Sequence, residues 1–176
     1  MTTAASHKVV NLDALVRLRE AYRADGRTVV WTNGCFDLFH AGHVRYLEAA
    51  RALGDVLVVG VNADASVRAL KGEARPLRPQ EGRAATVAAL ACVDHVVLFD
   101  APRCTAELAR LAPDVYAQGA DYTIETIDQD ERAAVERGGG RIAFLPLVEG
   151  ISSSLLLKKI RRSDPERITS AAFGLI

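Results

Sequence analysis

Charge of neither sign is in excess: 22 Lys and Arg stand against 22 Asp and Glu in 176 residues. Proteins that live on duplex or transfer RNA usually carry a basic surplus, so nucleic acid is not the expected partner. A small anionic ligand needs only a few local basic groups and stays open. Cysteine is scarce, and Cys35, Cys92 and Cys104 form an odd set with no C-x-x-C pair. That argues against a disulfide framework or a structural zinc site and for reduced thiols in a cytoplasmic setting. Long hydrophobic runs are missing too: the longest, residues 84–99, is broken by Asp94 and His95 and is too short for a membrane span. The opening MTTAASHKVV lacks the charged head and apolar stretch of a secretory signal. There is no internal repeat, no low-complexity segment, no G-x-G-x-x-G after a strand and no G-x-x-x-x-G-K-[ST]. A dinucleotide dehydrogenase and a P-loop enzyme are therefore disfavoured.

What is present reads as one α/β domain. With 49% hydrophobic residues the chain can bury a single core. Asn11 is placed to cap a helix that ends near Asp25-Gly26, and residues 28–32 read as a buried β-branched strand. A loop over 33–42 leads to a helix over 43–53. A continuous apolar strand follows over 56–61, of the kind covered on both faces. Asp64 is expected to cap a helix over 65–70, and residues 71–79 are too rich in Gly, Pro and charge to be regular. Helices are expected over 81–92, 105–111, 130–137 and 154–160, and strands over 95–99, 114–118 and 141–145. This alternation predicts a Rossmann-like, three-layer fold with a parallel sheet and right-handed crossovers. The expected layout is an N-terminal helical extension (1–27), the main domain (28–160) and a C-terminal tail (161–176). In such sheets ligands sit beyond the C-terminal strand ends, so the loop after the first strand is where chemistry is expected.

That loop carries two histidines three apart, His40 and His43, at a loop-to-helix junction that puts both imidazoles on one side of the first turn. The helix start adds free N–H groups and the positive end of the dipole. Gly42 and Gly34 are expected to let a phosphate approach the backbone, with Gly34 also a candidate for a positive-φ turn. Imidazole donates a directed hydrogen bond and titrates near neutrality. Alone, such a pair is more often surface decoration; between a strand and a helix, after Asn-Gly-x-Phe-Asp, it points to function. A zinc site on the pair lacks any further Cys/His cluster to complete it.

Thr32-Asn33-Gly34-Cys35-Phe36-Asp37 with His40-Ala41-Gly42-His43 resembles the cytidylyltransferase-like nucleotidyltransferases. The similarity is closest to the adenylyltransferase domain of the ADP-heptose synthases, which act on D-glycero-β-D-manno-heptose 1-phosphate. Residues 61–66, Lys71-Gly72, Arg75-Pro76, Glu81-x-Arg83, Val93-Asp94, Gly119-x-Asp121-Tyr122 and Ser152-Ser153-Ser154 follow in matching order, so the resemblance spans about 28–160. It implies a Rossmann-like fold and direct attack of a sugar-phosphate oxygen on the α-phosphorus of ATP. Mg²⁺ would be carried by the nucleotide rather than by protein ligands, pyrophosphate would leave, and no covalent intermediate would form. A homodimer is a further expectation, for which the apolar segment 171–176 is the weak pointer.

Through the resemblance His40, His43, Lys71 and Arg83 are the expected catalytic residues. Thr32, Asn33, Gly34, Phe36, Gly42, Ser152, Ser153 and Ser154 are expected on the nucleotide, and Asp37, Gln118, Asp121 and Tyr122 on the acceptor. Each keeps a plainer alternative. Lys71 and Arg83 can be solvated cations, the serines an ordinary N-cap, Asp37 a loop-orienting group, Asp121-Tyr122 a turn and Cys35 a packing residue. His7 and His95 are given no chemistry. The heptose enzymes usually show Lys-Gly-Gly-Asp-Tyr where this chain has Gln118-Gly-Ala-Asp-Tyr122, and Thr-Thr where it has Ser153-Ser154. Glycerol-3-phosphate cytidylyltransferases show an arginine that Leu147-Val148-Glu149-Gly150-Ile151 lacks, leaving CTP with an alcohol phosphate as the runner-up. A non-catalytic nucleotide-binding module and a tRNA-charging fragment are the alternatives of other classes. The heptose enzymes often also carry a sugar kinase, for which this length has no room, so that step is expected from another protein.

Overall fold

A computed structural model describes residues 5–146 and 150–162. All its strand pairings are parallel, and the sheet has five strands in the order β3-β2-β1-β4-β5. The strands are β1 (Val29–Gly34), β2 (Val56–Asn62), β3 (His95–Phe99), β4 (Val115–Gly119) and β5 (Arg141–Leu145). Between and around them run α1 (Leu12–Ala24), α2 (Ala41–Arg51), α3 (Asp64–Lys71), α4 (Gln80–Ala88), α5 (Thr105–Leu111), α6 (Gln129–Arg137) and α7 (Ser153–Arg162). This is the Rossmann-like α/β fold expected, as a single domain.

Period-2 alternation distributes the strand side chains between two cores. Val30, Leu57, Val59 and Val61 face Leu47 and Ala50 of α2 and Ala84, Val87 and Ala88 of α4. Val29, Trp31, Val56, Val58 and Tyr116 face Leu15 of α1, Leu108 and Leu111 of α5, and Ala134 and Val135 of α6. Both faces are thereby covered, which is why β2 is apolar without interruption. The first helix belongs to the second layer: Arg19, 5% exposed, reaches the Asp114 carboxylate at 2.8 Å, and that carboxylate takes the Val29 N–H at 2.7 Å. Upstream of it, Val9 bridges to Val96 at the sheet edge and Lys8 donates to the carbonyls of Leu90 and Val93.

Several expected boundaries move, each for a physical reason. Asn11 caps α1 as expected, its side chain accepting from Ala14 N–H. Asp64 is not a cap: Ala63 holds that position, and the Asp64 carboxylate is spent on Arg83 instead. The fourth helix stops at Ala88 rather than 92, because Leu90 and Val93 turn the chain towards β3. Val93 is buried in the first core, so the apolar pattern outruns the helix. The first strand runs on to Gly34, and α2 starts at Ala41 with His40 as its N-cap. Positive φ in this loop falls on Phe36 (φ 49°), not on Gly34. The segments 147–149 and 163–176, with the expected tail and its apolar end, lie outside the described residues.

Candidate active site

Strand order reverses between β1 and β4, and a cavity of about 500 Å³ opens beyond their C-terminal ends. Asn33 and Gly34 from β1 and Gln118 and Gly119 from β4 form its floor. That volume suits a nucleotide-sized ligand.

Local sequence explains how the histidines reach it. Phe36 is 5% exposed, and its ring occupies the space over Gly34, where a Cβ would lie 3.2 Å from it. Burial of this ring offsets the roughly 1–2 kcal/mol that a left-handed backbone costs a residue with a Cβ. The chain then turns to bring Phe39 against His43 at 5.2 Å between centroids, and His40 onto His43 at 3.9 Å. The His40 N–H donates to His43 Nδ1 at 3.3 Å, so the His43 proton sits on Nε2, the nitrogen left for the cavity. Gly42 lines the cavity and serves a further purpose that the sequence did not reveal. A Cβ there would fall 2.9 Å from His40 Nδ1, so the glycine seats the imidazole. Gly42→Ala is expected to lower kcat roughly tenfold with little change in melting temperature, since displacement of a group by less than 1 Å is costly in rate.

Burial holds the His43 pKa down to about 4, helped by the neighbouring His40 and the Lys71 charge, and burial lowers that of His40 as well. Both rings are therefore neutral donors at neutral pH. With the folded value below the unfolded one (~6.5), the unfolded chain takes the proton more readily. His43 thus contributes stability above pH ~6.5 that is lost as the pH falls towards 4. Urea unfolding from pH 7.5 to 4.5 should show this loss as a difference between the wild type and His43→Asn. NMR titration should place the imidazole near 4.

Lys71, at the end of α3, is exposed and lines the cavity. Ser152 and Ser153 line it at the start of α7, where Ser152 Oγ accepts from Leu155 N–H and Ser153 donates to the Leu38 carbonyl. Both readings of these serines, cap and ligand contact, are thus compatible with their position. Ser154 is exposed and does not line the cavity. Thr32 also stays outside it, fully buried against the Tyr46 hydroxyl at 2.9 Å. Asp121 lines it, whereas Tyr122 faces a second, adjoining cavity.

Asp37 lines the cavity but has little capacity left for a ligand hydroxyl. One oxygen accepts from the N–H groups of Leu77 and Arg78, and the other lies 2.7 Å from Arg75 Nε. Its position fits the loop-orienting alternative. Arg83 departs furthest from expectation. It is 0% exposed, and its guanidinium donates to the carbonyls of Cys35 and Arg78 and to Asp64. Enclosed in this way, it does not reach the cavity. Arg75 does, and it was given no role from sequence. Its Nη1 is buried without a hydrogen-bond partner, as is His40 Nδ1. The signal for it was Arg75-Pro76, a matching piece to which no chemistry was attached.

The family model described as cytidylyltransferase-like matches residues 31–159. The chain belongs to the cytidylyltransferase-like family. Among its relatives is a protein named bifunctional protein HldE from Citrifermentans bemidjiense, 49% identical over 156 residues, 89% of this chain and 32% of the relative. Another of the same name, from Geobacter sulfurreducens, is 47% identical over 159 residues, 90% of this chain and 32% of the relative. The chain therefore spans about a third of the length of these relatives. A lipopolysaccharide core biosynthesis protein from Thermoplasma volcanium superposes with a TM-score of 0.57 at 26% identity, over 70% of this chain and 98% of the other. The pantoate-β-alanine ligase of Francisella tularensis shares the fold alone, with a TM-score of 0.51 at 11% identity over 89% of this chain and 79% of the other. Among the described residues no helix is long and apolar enough to cross a membrane, and no cluster of three His, Cys, Asp or Glu is placed to hold a metal ion.

Proposed function

We propose that this nucleotidyltransferase moves AMP from ATP to a sugar 1-phosphate, heptose 1-phosphate in the first instance, giving an ADP-sugar and pyrophosphate. The observation that carries the reading is the cavity at the β1/β4 switch point, which neutral His40 and His43 line together with Lys71 and Arg75. Arg75 and Lys71 bring positive charge to the cavity lining, which suits an anionic ligand. The resemblance of the loop motifs to the ADP-heptose synthases, and the likeness to a lipopolysaccharide core biosynthesis protein, support the choice of substrate.

The acceptor is a phosphate monoester, whose second pKa is near 6, so its oxygen is already an anion at neutral pH. An oxygen of that phosphate forms a bond to the α-phosphorus of ATP, and the bond from that phosphorus to the β-phosphate bridging oxygen breaks. No proton needs removal, so no general base is required. Catalysis reduces to alignment and to stabilising the charge that builds on the departing pyrophosphate. His43 Nε2–H and His40 supply hydrogen bonds, Lys71 and Arg75 supply charge, and the start of α2 supplies backbone N–H groups. Mg²⁺ arrives with the triphosphate as part of the substrate. A hard ion that keeps phosphate and water oxygens needs no protein cage of its own.

An activity matrix of ATP, CTP and GTP against heptose 1-phosphate, mannose 1-phosphate and glycerol 3-phosphate tests the reading. Pyrophosphate release with ATP and a sugar 1-phosphate is the expected result. Turnover of CTP with glycerol 3-phosphate alone replaces it by the runner-up. Tight ATP binding with no turnover anywhere in the matrix leaves a binding module.

A further inference from the structure

The second cavity, of about 370 Å³, is a lobe of the same cleft, since it shares Asn33, Gly34, Cys35, Lys71 and Gln118 with the first. Its other walls have different chemistry. Asp128, Glu131, Asn62, Tyr116 and Tyr122 line it. Asp128 spends one oxygen on the N–H groups of Asp130 and Glu131 and the other on Arg103, so these acidic side chains oppose a triphosphate by charge and leave the amides of the shared wall for hydroxyl groups. Lys71 on the shared wall and Arg103, 3.3 Å from Asp128, leave cationic groups at its margin for a single phosphate.

A chain of hydrogen bonds runs behind the shared wall. Glu131 is 3% exposed; its Oε1 accepts the Cys104 N–H at 2.9 Å and the thiol at 3.4 Å, and its Oε2 accepts the Tyr116 hydroxyl at 2.9 Å. The Tyr116 oxygen also lies 3.1 Å from Asn33 Oδ1, which in turn lies 3.1 Å from Gln118 Nε2. Burial, then Cys104 and Glu131, push the Tyr116 pKa up, so the phenol keeps its proton. A phenol has one proton to give. Three donors converge on Glu131, which makes it an acceptor and directs the Tyr116 O–H to it. Tyr116 is then left with a lone pair towards Asn33. A half-turn of the Asn33 amide satisfies it with an N–H, and a matching half-turn lets Gln118 accept from Asn33. Both side chains then present their opposite ends to the cleft, Asn33 its carbonyl and Gln118 its NH₂.

We propose that this second lobe seats the hydroxyl-bearing part of the acceptor, a phosphorylated sugar or polyol, and that buried Glu131, acting through Tyr116, fixes which way the Asn33 and Gln118 amides face it. The inference rests on the two-substrate transfer proposed above. Glu131 is a positioning residue on this view, and because Asn33 and Gln118 border both lobes, acceptor recognition should depend on it more strongly than ATP recognition.

Glu131→Gln keeps the shape but offers Nε2 as a donor to the Tyr116 oxygen; the phenol proton then passes to Asn33 and the wall reverses. With heptose 1-phosphate and ATP, the expected result is an acceptor KM raised roughly tenfold or more, with a clearly smaller rise in the ATP KM, as misplacing a hydrogen-bond pair predicts. Tyr116→Phe breaks the same chain without altering the carboxylate and should reproduce the rise, and the double variant should add little to either. Equal changes in both KM values, or no change in either variant, overturn the proposal. If Glu131→Gln does not fold, Tyr116→Phe alone decides between these outcomes. Failure of the underlying function looks different: the wild type then turns over no sugar phosphate. The variants are in that case compared by calorimetric binding of mannose 1-phosphate beside a non-hydrolysable ATP analogue. Weaker binding in the variants supports the lobe assignment, and equal binding or none to the wild type overturns it.

Discussion

His43→Ala is expected to lower kcat by at least tenfold, and on the order of 10²–10³, with the ATP KM changed much less. The argument rests on where the His43 proton is held. Because Nδ1 is occupied by the His40 N–H, the ring presents Nε2–H to the cavity in one fixed tautomer. Its pKa of about 4 keeps it a neutral donor across the working range. A preorganised donor of this kind is worth most where charge develops, and removal of one such group typically costs 10²–10³ in rate. The ring also packs on Phe36, Phe39 and His40, so the alanine variant loses some packing. His43→Asn restores a side-chain donor and so separates the two effects. If packing alone matters, melting temperature falls and activity follows it. If the donor matters, activity falls at temperatures where circular dichroism shows a fully folded chain. Near-normal kcat in folded His43→Ala would remove the mechanism proposed here.

The sheet was largely legible because its signals are local. The apolar strand β2 and the fully matched strand β3 come from side-chain periodicity, and the position of the cleft follows from a strand, a loop and a helix in sequence. Histidines at a helix start remain together whatever the rest of the chain does, so their pairing was legible as well. What escaped depends on residues distant in sequence. Asp37 meets Leu77, Arg78 and Arg75 some forty positions on, and Tyr116 meets Asn33 across 83. No local pattern encodes such meetings. One signal was nevertheless available. Arg83 precedes Val87 by four residues, and Glu131 precedes Ala134 and Val135 by three and four, so each charge stands on the buried stripe of its own helix. A charged group in that register is either an error of the pattern or a buried group with partners, and here both are the latter. The same periodicity that located the helices therefore marked the two charges holding the site in shape.

Arg83→Leu is expected to destabilise the protein by about 3 kcal/mol or more, and to lower its melting temperature by roughly 6–12 °C. A guanidinium with no exposure is stable only through its partners, and these lie on three separate segments. Nη1 donates to Cys35 in the loop before the histidines, Nε to Arg78 in the segment after Lys71, and Nη2 to Asp64 at the start of α3. Leucine fills part of the volume but abandons two carbonyls and a carboxylate, and unmet buried acceptors carry most of the cost. The carboxylate retains some contact with water, since its side chain is 29% exposed, so Asp64→Asn should cost much less than Arg83→Leu. Activity should also fall, because the guanidinium ties the loop bearing the histidines to the segment bearing Arg75. Chemical denaturation and kcat measured on the same preparations distinguish this from a direct phosphate contact. A phosphate ligand would lose rate while leaving the unfolding midpoint in place; a buried tie moves the midpoint first. Arg83→Lys sharpens the comparison. It keeps the charge but cannot satisfy three segments at once, so it should fail on stability nearly as badly as leucine, whereas a phosphate contact would be largely rescued by it.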